Sequence, residues 1–329
     1  MEIGIDIGGS HIASAIIENN KIIKKVSKDI NFLNEKHVEI EEIEETEEKE
    51  AKKILVTTIK NEIEELIKNS NYKIENISKI GIAVPGSPDK EKIKNAVNLH
   101  IKEINIVKEL KKVYNTNIIL KNDGKCAGLA EKKYGALKEY KDCVFLCIGT
   151  GVGSAVFKDG KLLEAKYTPG FELGHMIINK DGIKCNCGNK GCFETYASMK
   201  RFKERVIKEL KLEENFGKRI PNIPSEEFQN FIRKNIKNED INDIEVQKKV
   251  KQLVNDYLED VTIGLANIIN IFEPEVICFG GSFSYYDDIF LPILKEKIIK
   301  YQFNKEYRVE LITAKLKNDA GLLGATIFE

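Results

Sequence analysis

The sequence carries one local pattern twice, about 140 residues apart. In the first copy, the alternating residues Ile3, Ile5 and Ile7 lead through a glycine turn to a second apolar run over residues 12–17. In the second copy, residues 144–148 lead through the turn Gly149–Gly153 into another apolar run. Such runs indicate strands. A strand, a glycine turn and a strand repeated at this distance predict two similarly built halves rather than a short-period solenoid.

The rest of the chain alternates between helical and strand patterns. Apolar residues at helical spacing occupy residues 54–67, and short apolar runs follow at 80–84 and 117–120. After the second copy come a long helical pattern over 246–272 and a buried strand at 275–279. This alternation predicts an α/β fold. Because 329 residues exceed one core of typical size, we expect two domains with a ligand cleft between them.

The composition argues against two classes of partner. The 52 basic residues balance the 52 acidic ones, which gives no reason to expect a nucleic acid or a membrane surface. The chain opens on MEIGIDIGG without a leader pattern, so we expect a cytoplasmic protein. Seven cysteines, three of them within residues 185–192, favour metal binding over a disulfide framework.

Two charged segments do not fit the alternation. Residues 35–50 hold nine glutamates in sixteen positions, which is typical of a solvated helix face or a surface insertion. Residues 211–243 are charged and interrupted by proline, and predict an irregular or partly helical addition to the second half. We assign no function to either segment.

The first glycine turn lacks the lysine of a Walker loop and the spacing of a dinucleotide-binding loop. It comprises Asp6, Gly8, Gly9, Ser10 and His11, and strand alternation turns Asp6 away from the core side. Glycines let backbone N–H groups approach an anion, and a neighbouring carboxylate can hold Mg²⁺. A plain hairpin with an incidental Asp is the alternative. The second turn, 149–153, favours anion binding because one chain then carries two such turns.

Asp123 lies on a third turn, in KNDGKCAGLAE, where a strand ends and a helix begins. Two interpretations are open. The residue is the N-cap of the helix, a common role for Asp, or it acts on a ligand, since open α/β sheets bind ligands at the carboxyl ends of their strands.

The densest signal is the run from Pro169 to Thr195. His175, Cys185, Cys187 and Cys192 supply the ligands of a closed structural zinc site, with glycines between the last two cysteines. A redox cluster is the weaker alternative. The flanking Glu172 and Glu194, if the knuckle fixes them, can accept hydrogen bonds from adjacent sugar hydroxyls.

Taken in order, these motifs resemble those of the ROK family of sugar kinases and related repressors, within the actin-like sugar kinase and Hsp70 superfamily. The resemblance covers almost the whole chain through DIGGSH, GIAVPG, NDGKCAG, GTGVGS, the CNCGNKGC knuckle, ANIINIFEPEVICFGGS and DAGLLGA. It implies two actin-like, ribonuclease H-like domains. Their implied bounds are 1–121 with 310–329, and 122–309 with the zinc knuckle.

The resemblance also implies the ligands, which are a sugar, ATP with Mg²⁺, and a structural zinc ion. The implied ATP contacts are Asp6, Gly8, Gly9, Ser10, His11, Thr150, Gly151, Val152, Gly153, Gly280 and Gly281. The implied sugar contacts are Gly86, Asn98, Asn122, Asp123, Glu172, His175 and Glu194.

By the same resemblance, Asp123 is the general base that accepts the proton of a sugar hydroxyl, the 6-OH, as that oxygen attacks the γ-phosphoryl group of ATP. Glucose is the leading substrate, with N-acetylmannosamine, N-acetylglucosamine and fructose as alternatives. Several positions depart from the family pattern, including GTGVGS, which replaces a more glycine-rich form. His11 stands where lysine is commoner, and Lys125 lies where the family often has a run of small residues.

Three other functions are less consistent with the sequence. A repressor needs an added DNA-binding segment, for which a chain that starts at the first turn leaves no room. A non-catalytic sugar sensor would not need Asp123 and both turns, and a zinc hydrolase needs an open ligand position. As partners we expect a sugar and ATP, neither nucleic acid nor membrane, and a second copy of the chain in a homodimer or homotetramer.

Overall fold

The computed structural model describes residues 1–8, 11–30, 43–68, 70–166, 170–212, 225–237 and 243–327. Two compact units are distinguished along the chain. The first unit comprises Met1–Glu139, Ala155–Phe171 and Lys315–Glu329, and the second unit comprises Tyr140–Ser154 and Glu172–Ala314. The domain bounds implied by the family resemblance, 1–121 with 310–329 and 122–309, stay a prediction.

The strands, in chain order, are β1 (Glu2–Ile7), β2 (His11–Glu18), β3 (Lys21–Asp29), β4 (Lys79–Val84), β5 (Ile93–Ala96), β6 (Ile101–Ile104), β7 (Asn117–Asn122), β8 (Cys143–Ile148), β9 (Val152–Lys158), β10 (Lys161–Leu162), β11 (Val276–Gly280) and β12 (Glu310–Thr313). They form two five-stranded sheets, ordered β3-β2-β1-β4-β7 and β10-β9-β8-β11-β12, and a β5–β6 hairpin.

The helices, in chain order, are α1 (Glu45–Lys68), α2 (Ile106–Lys111), α3 (Asp123–Tyr134), α4 (Glu194–Ala197), α5 (Met199–Glu209), α6 (Ser225–Lys237), α7 (Ile244–Phe272), α8 (Asp287–Tyr301) and α9 (Ala320–Ala325). Their alternation with strands confirms the predicted α/β class. Among the described residues, every helix is either too short or too polar to cross a membrane.

The two large sheets repeat one strand order, as the duplicated sequence pattern predicts. In the first sheet, β1 pairs antiparallel with β2 and parallel with β4, which pairs parallel with β7. In the second, β8 lies between β9 and the parallel β11, which pairs parallel with β12. Replacing β1, β2, β3, β4 and β7 by β8, β9, β10, β11 and β12 converts the first order into the second.

Both faces of the first sheet are covered. Ile3, Ile5 and Ile7 are fully buried in a core that α1 completes. On the opposite face, a Cβ added to Gly4 or Gly81 would come well under 3.0 Å from the backbone of α9. Glycine is therefore required there for close packing of a helix on the sheet. The face to which alternation assigns Asp6 is thus an interior surface.

Small residues let α9 fit into this space. A Cβ at Gly324 would lie well under 3.0 Å from the backbone carbonyl of Cys126, so α9 also packs closely on α3. A Cβ at Gly321 would meet the carboxylate of Asp6 equally closely. The DAGLLGA stretch is therefore a packing element that brings β1, α3 and the Asp6 side chain together.

In the second unit, aromatic side chains join the helices beside the sheet. The ring centroids of Phe202 on α5 and Tyr257 on α7 lie 4.4 Å apart, and those of Phe283 and Phe290 lie 5.1 Å apart. Phe290 of α8 also meets Phe202 edge to face at 6.0 Å. Such contacts contribute both buried area and ring geometry.

The sequence patterns missed the hairpin β5–β6 and the helices α4 and α5. The hairpin β5–β6 escaped because each strand has only four residues. Helix α6 lies within 211–243 and supports the partly helical interpretation of that segment; residues 213–224 and 238–242 lie outside the described residues. Of the acidic segment, residues 35–42 are likewise outside, and α1 begins at Glu45.

A carboxyl group is buried in the core of the first unit. Glu62 of α1 is fully buried, and its Oε2 accepts a hydrogen bond from the Ser14 hydroxyl. Its Oε1 is buried without a hydrogen-bond partner in the described part of the chain. The nearby Lys28 forms an ion pair with Glu65 at 3.2 Å. Burial raises the pKa of Glu62 to about 7, against the opposing effects of Ser14 and Lys28.

We expect Glu62→Gln to stabilise the protein above pH 7 and to have little effect at pH 4.5. Because the folded state binds the Glu62 proton more tightly than the unfolded state, stability falls as the pH rises from about 4.5 through about 7. The gain at pH 8.5 should be about 1 to 3 kcal/mol, the usual cost of an unsatisfied buried group. Urea denaturation at both pH values measures it.

Glu50→Gln is the matched control, because Glu50 lies on the same helix but is exposed. It should not reproduce the pH-dependent gain. An equal effect of Glu62→Gln at the two pH values would contradict the assignment of Glu62 as the titrating group.

Candidate functional site

The first glycine turn closes on itself at the end of β1. The Gly8 amide donates to the His11 carbonyl at 2.9 Å, and the His11 ring lies beside Gly8. Gly9 and Ser10 lie outside the described residues. Asp6, two residues before Gly8, pairs with Ala13 of β2 in the sheet. Gly8 therefore directly follows the strand that carries the Asp6 carboxylate.

The Asp6 carboxylate is electrostatically suited to a cation. Burial raises its pKa to about 6, although the positive charge of Lys25 acts in the opposite direction. Lys25 itself forms an ion pair with Asp319 at 2.9 Å. A partly buried carboxylate can hold Mg²⁺, which proteins commonly bind through one or two carboxylates together with phosphate oxygens.

The structure distinguishes between the two interpretations of Asp123. Asn122 is the N-cap of α3, because its Oδ1 accepts a hydrogen bond from the Lys125 amide at 3.2 Å. Asp123 is the first helical residue, and its Oδ1 accepts from the Gly124 amide at 2.8 Å. The interpretation of Asp123 as the N-cap is therefore wrong. Its half-buried carboxyl group stands at the carboxyl end of β7.

Two further predicted sugar contacts belong to the same unit. The Asn122 Nδ2 donates to the Gly86 carbonyl at 3.2 Å, which joins the ends of β4 and β7. A Cβ at Gly86 would lie 2.7 Å from the Lys94 carbonyl of β5, so only glycine allows this approach. Asn98 is exposed in the short turn Val97–Leu99 that joins β5 and β6. The structure thus brings Gly86, Asn122 and Asp123 together.

In the second unit, two glycine turns lie side by side after neighbouring parallel strands. The Gly149 amide donates to the Gly151 carbonyl at 2.9 Å, which closes the turn after β8. A Cβ at Gly281, after β11, would lie 2.6 Å from the carbonyl of Ile148. The predicted ATP contacts Thr150, Gly151, Val152 and Gly153 are therefore next to Gly280 and Gly281, as one ligand would require.

The two segments that carry the three predicted sugar contacts of this unit meet at Val152. Its amide donates to the Glu194 Oε2 at 2.8 Å. Its carbonyl packs against Gly174, which lies between Glu172 and His175. The Leu173 amide also donates to the Ser154 hydroxyl at 3.1 Å. The start of β9 therefore contacts both segments that carry the sugar-contact residues.

The knuckle has the geometry of a tetrahedral metal site. The candidate ligand atoms of His175, Cys185, Cys187 and Cys192 all lie within 4.8 Å of one another. The Cys187 and Cys192 sulfurs are 3.6 Å apart, and the Cys185 sulfur is 3.8 Å from the His175 Nδ1. A disulfide needs about 2.05 Å, whereas Zn–S bonds of about 2.3 Å give a tetrahedral edge of about 3.8 Å. These residues fit zinc.

A bound metal ion would change the protonation of the thiols. Burial raises the pKa of both Cys185 and Cys192. A bound Zn²⁺ would favour the thiolates and release protons on binding. Because His175 faces Cys185 through Nδ1, its Nε2 lies on the opposite side of the ring. His175 can therefore serve as both metal ligand and sugar contact.

The knuckle is shaped by its glycines and by one tyrosine that sequence reasoning missed. Gly188 and Gly191 have φ values of +91° and +75°, which other residues rarely adopt. The Tyr196 hydroxyl accepts hydrogen bonds from the Ile183 amide at 3.0 Å and the Asn179 side chain at 3.4 Å. In the sequence, the indication of this role is that Tyr196 follows Glu194 by two residues.

A second residue missed in this way is Lys125. The sequence shows it only as a departure from the family pattern, but its side chain is buried and donates to the Gly170 carbonyl at 2.9 Å. The long side chain thus replaces the close packing that small residues would give. This hydrogen bond joins the start of α3 to Gly170, two residues before Glu172.

The cap assignment predicts a difference in stability between neighbouring residues. Asn122→Ala should lower the free energy of unfolding by about 1 kcal/mol, the usual cost of losing an N-cap. Asp123→Asn should change it by less than about 0.5 kcal/mol, because no cap is lost. Urea denaturation compares the two variants, and an equal loss in both would contradict the assignment.

The ligand set predicts about one zinc ion per chain, with loss of the metal in Cys192→Ala. Elemental analysis of purified protein measures the metal content, and thermal unfolding measures the stability that the metal contributes. Cys147→Ala is the control, because Cys147 lies on β8 outside the set. Stoichiometric zinc in Cys192→Ala would contradict the assignment.

The site residues can be compared with those of known proteins. The sequence is 29% identical to a glucokinase of Thermotoga maritima, over 98% of this chain and 95% of the glucokinase. It is 28% identical to a xylose repressor of Caldicellulosiruptor bescii, over 98% of this chain and 76% of the repressor. Enzymes and repressors are thus both among its relatives.

Solved structures show the same fold. A ROK family glucokinase from Streptomyces griseus, determined with glucose and AMPPNP, superposes with a TM-score of 0.78 at 20% identity, covering 98% of this chain and 97% of that one. The expected fold class, α/β with two actin-like domains, is confirmed. The profile of the ROK family matches residues 2–328. The chain therefore belongs to the ROK family.

Proposed function

We propose that the chain is an ATP-dependent sugar kinase with Asp123 as its general base. The observation that carries this proposal is the capping of α3 by Asn122 instead of Asp123. The Asp123 carboxyl group begins a helix at the carboxyl end of a strand without serving as its cap, and ligands bind at such strand ends in open α/β sheets. Membership of a family with sugar kinases supports the proposal.

In the proposed reaction, Asp123 accepts the proton of the sugar 6-OH while that oxygen attacks the γ-phosphoryl group of ATP in line. The glycine turns at Gly8–His11 and Thr150–Gly153 hold the phosphates through backbone N–H groups, and the Gly280–Gly281 turn lies on the adenosine side. Mg²⁺ beside Asp6 would neutralise charge on the phosphate oxygens. The protein otherwise contributes position and a fixed electrostatic environment.

We propose glucose as the leading substrate. Glu172, His175 and Glu194 offer two carboxylates and an imidazole that can hydrogen-bond neighbouring sugar hydroxyls, with Gly86, Asn98 and Asn122 as further contacts. The glucokinase of Thermotoga maritima and the glucose bound in the Streptomyces griseus structure support this choice. N-acetylmannosamine, N-acetylglucosamine and fructose are the alternatives within the same class.

A sugar-sensing protein without catalysis is the candidate from a different class. The observation in its favour is the similarity to xylose repressors along almost the whole chain. Both candidates bind sugar, but only the kinase consumes ATP when sugar is added. Sugar-dependent release of ADP therefore separates them.

The experiment measures ADP release by purified protein with Mg·ATP and each sugar in turn: glucose, mannose, fructose, N-acetylglucosamine and N-acetylmannosamine. We expect glucose to give the highest kcat/KM. Asp123→Asn should lower kcat by about 10² to 10⁴, the usual contribution of a general base. Its fold and zinc content should be retained.

Asp159→Asn is the matched control, since Asp159 is an exposed carboxylate in the turn between β9 and β10, with a φ of +52° that Asn tolerates. It should keep the activity of the unaltered protein. Absence of sugar-dependent ADP release with every sugar would overturn the kinase proposal. Nearly normal turnover of Asp123→Asn would assign the base to another residue.

A further inference from the structure

Glu194 has a second contact that a sugar-binding residue does not need. It is the first residue of α4, directly after the knuckle residue Cys192 and the buried Phe193. Its Oε2 accepts a hydrogen bond from the Val152 amide at 2.8 Å, within the turn predicted to hold phosphate. One carboxylate therefore touches the backbone of the glycine turn from within the second unit.

The turn is built to receive this carboxylate. A Cβ at Gly151 would lie well under 3.0 Å from the Glu194 Oε2, so a side chain at position 151 would displace the carboxylate. Gly149 closes the same turn by donating to the Gly151 carbonyl at 2.9 Å. Glycine at position 151 is thus needed for the contact with Glu194 as well as for the access of phosphate.

The position of Glu194 is itself fixed from the knuckle. The Phe193 amide donates to the Met176 carbonyl at 2.7 Å, and the Thr195 hydroxyl donates to the Cys192 carbonyl at 2.7 Å. The Phe193 ring packs against Gly264 of α7, where a Cβ would overlap it. Hydrogen bonds and packing therefore hold the residues on both sides of Glu194, and so hold its carboxylate in contact with Val152.

We propose that Glu194 is a positioning residue for the phosphate-binding turn, in addition to its role toward the sugar. Its hydrogen bond to Val152 fixes the conformation in which the remaining amides of the turn face phosphate. A charged acceptor makes this bond stronger than a bond between neutral groups. The inference rests on the proposed function, because it assigns ATP to this turn.

Sugar binding and ATP binding would be coupled through the Glu194 carboxylate. One oxygen of the carboxylate holds the turn, and the other is left to accept a sugar hydroxyl. A sugar that orients the carboxylate therefore also orders the turn, and ATP binding strengthens sugar binding by the same factor, as linkage requires. The zinc knuckle, the sugar and ATP would all act on one side chain.

The test measures binding of Mg·AMPPNP by calorimetry in the absence of any sugar, so that loss of a sugar contact has no effect on the result. We expect Glu194→Ala to weaken binding by about tenfold or more, as for loss of a hydrogen bond to a charged group. Glu194→Gln should stay within about threefold, because its amide oxygen can accept from Val152. The control Glu209→Ala removes an exposed carboxylate of α5 and should have no effect.

Gly151→Ala tests the contact from the other side. The new methyl group should displace the carboxylate and weaken binding, and the effects of Gly151→Ala and Glu194→Ala should be less than additive in the double variant, because both break the contact between Glu194 and Val152. If Glu194→Ala does not fold, Gly151→Ala and Glu194→Gln still decide the question.

Wild-type affinity in a folded, zinc-loaded Glu194→Ala protein, or in Gly151→Ala, would overturn the inference while leaving the kinase proposal intact. Failure of the unaltered protein to bind Mg·AMPPNP at all would overturn the proposed function, and the inference with it.

Discussion

The candidate metal site of the knuckle is the proposed constraint on which the second unit's site depends. Three thiols and one imidazole are brought within 4.8 Å of one another by a chain that turns at Gly188 and Gly191. Four protein ligands leave no position for water, which is the property of a structural site. The ligands at its two ends, His175 and Cys192, lead directly to Glu172 and Glu194. A metal bound by these four residues would hold both carboxylates in place and, through Glu194, the turn at Val152.

In the first unit, the packing of a helix on the sheet positions an acidic side chain. Close approach of α9 to the sheet depends on glycine on both surfaces, and it encloses the Asp6 carboxylate at the end of β1. Burial makes that carboxylate costly to ionise. At the end of β7, the Asn122 side chain caps α3, so the Asp123 carboxylate does not serve as the cap. Both units thus place acidic groups at strand ends next to glycine turns.

The sequence was sufficient for the features that depend on spacing. The alternation of Ile3, Ile5 and Ile7, the repeated glycine turn and the ligand positions from His175 to Cys192 each predict a local structure that is found. It was insufficient where residue type allows several partners. Asn122 and Asp123 are both good caps, and only the backbone path selects one. The contacts of Glu194 with Val152 and of Lys125 with Gly170 join residues far apart in the chain, which periodicity cannot reveal.

The proposed activity of this chain is the transfer of a phosphoryl group from ATP to a sugar hydroxyl. It is tested most directly by ³¹P NMR of purified protein with Mg·ATP and a mixture of glucose, fructose, N-acetylglucosamine and N-acetylmannosamine. We expect a sugar phosphomonoester signal that grows in step with the loss of the γ-phosphate signal of ATP, with little inorganic phosphate. Unchanged ATP, or conversion of ATP to inorganic phosphate without a sugar phosphate, would contradict it.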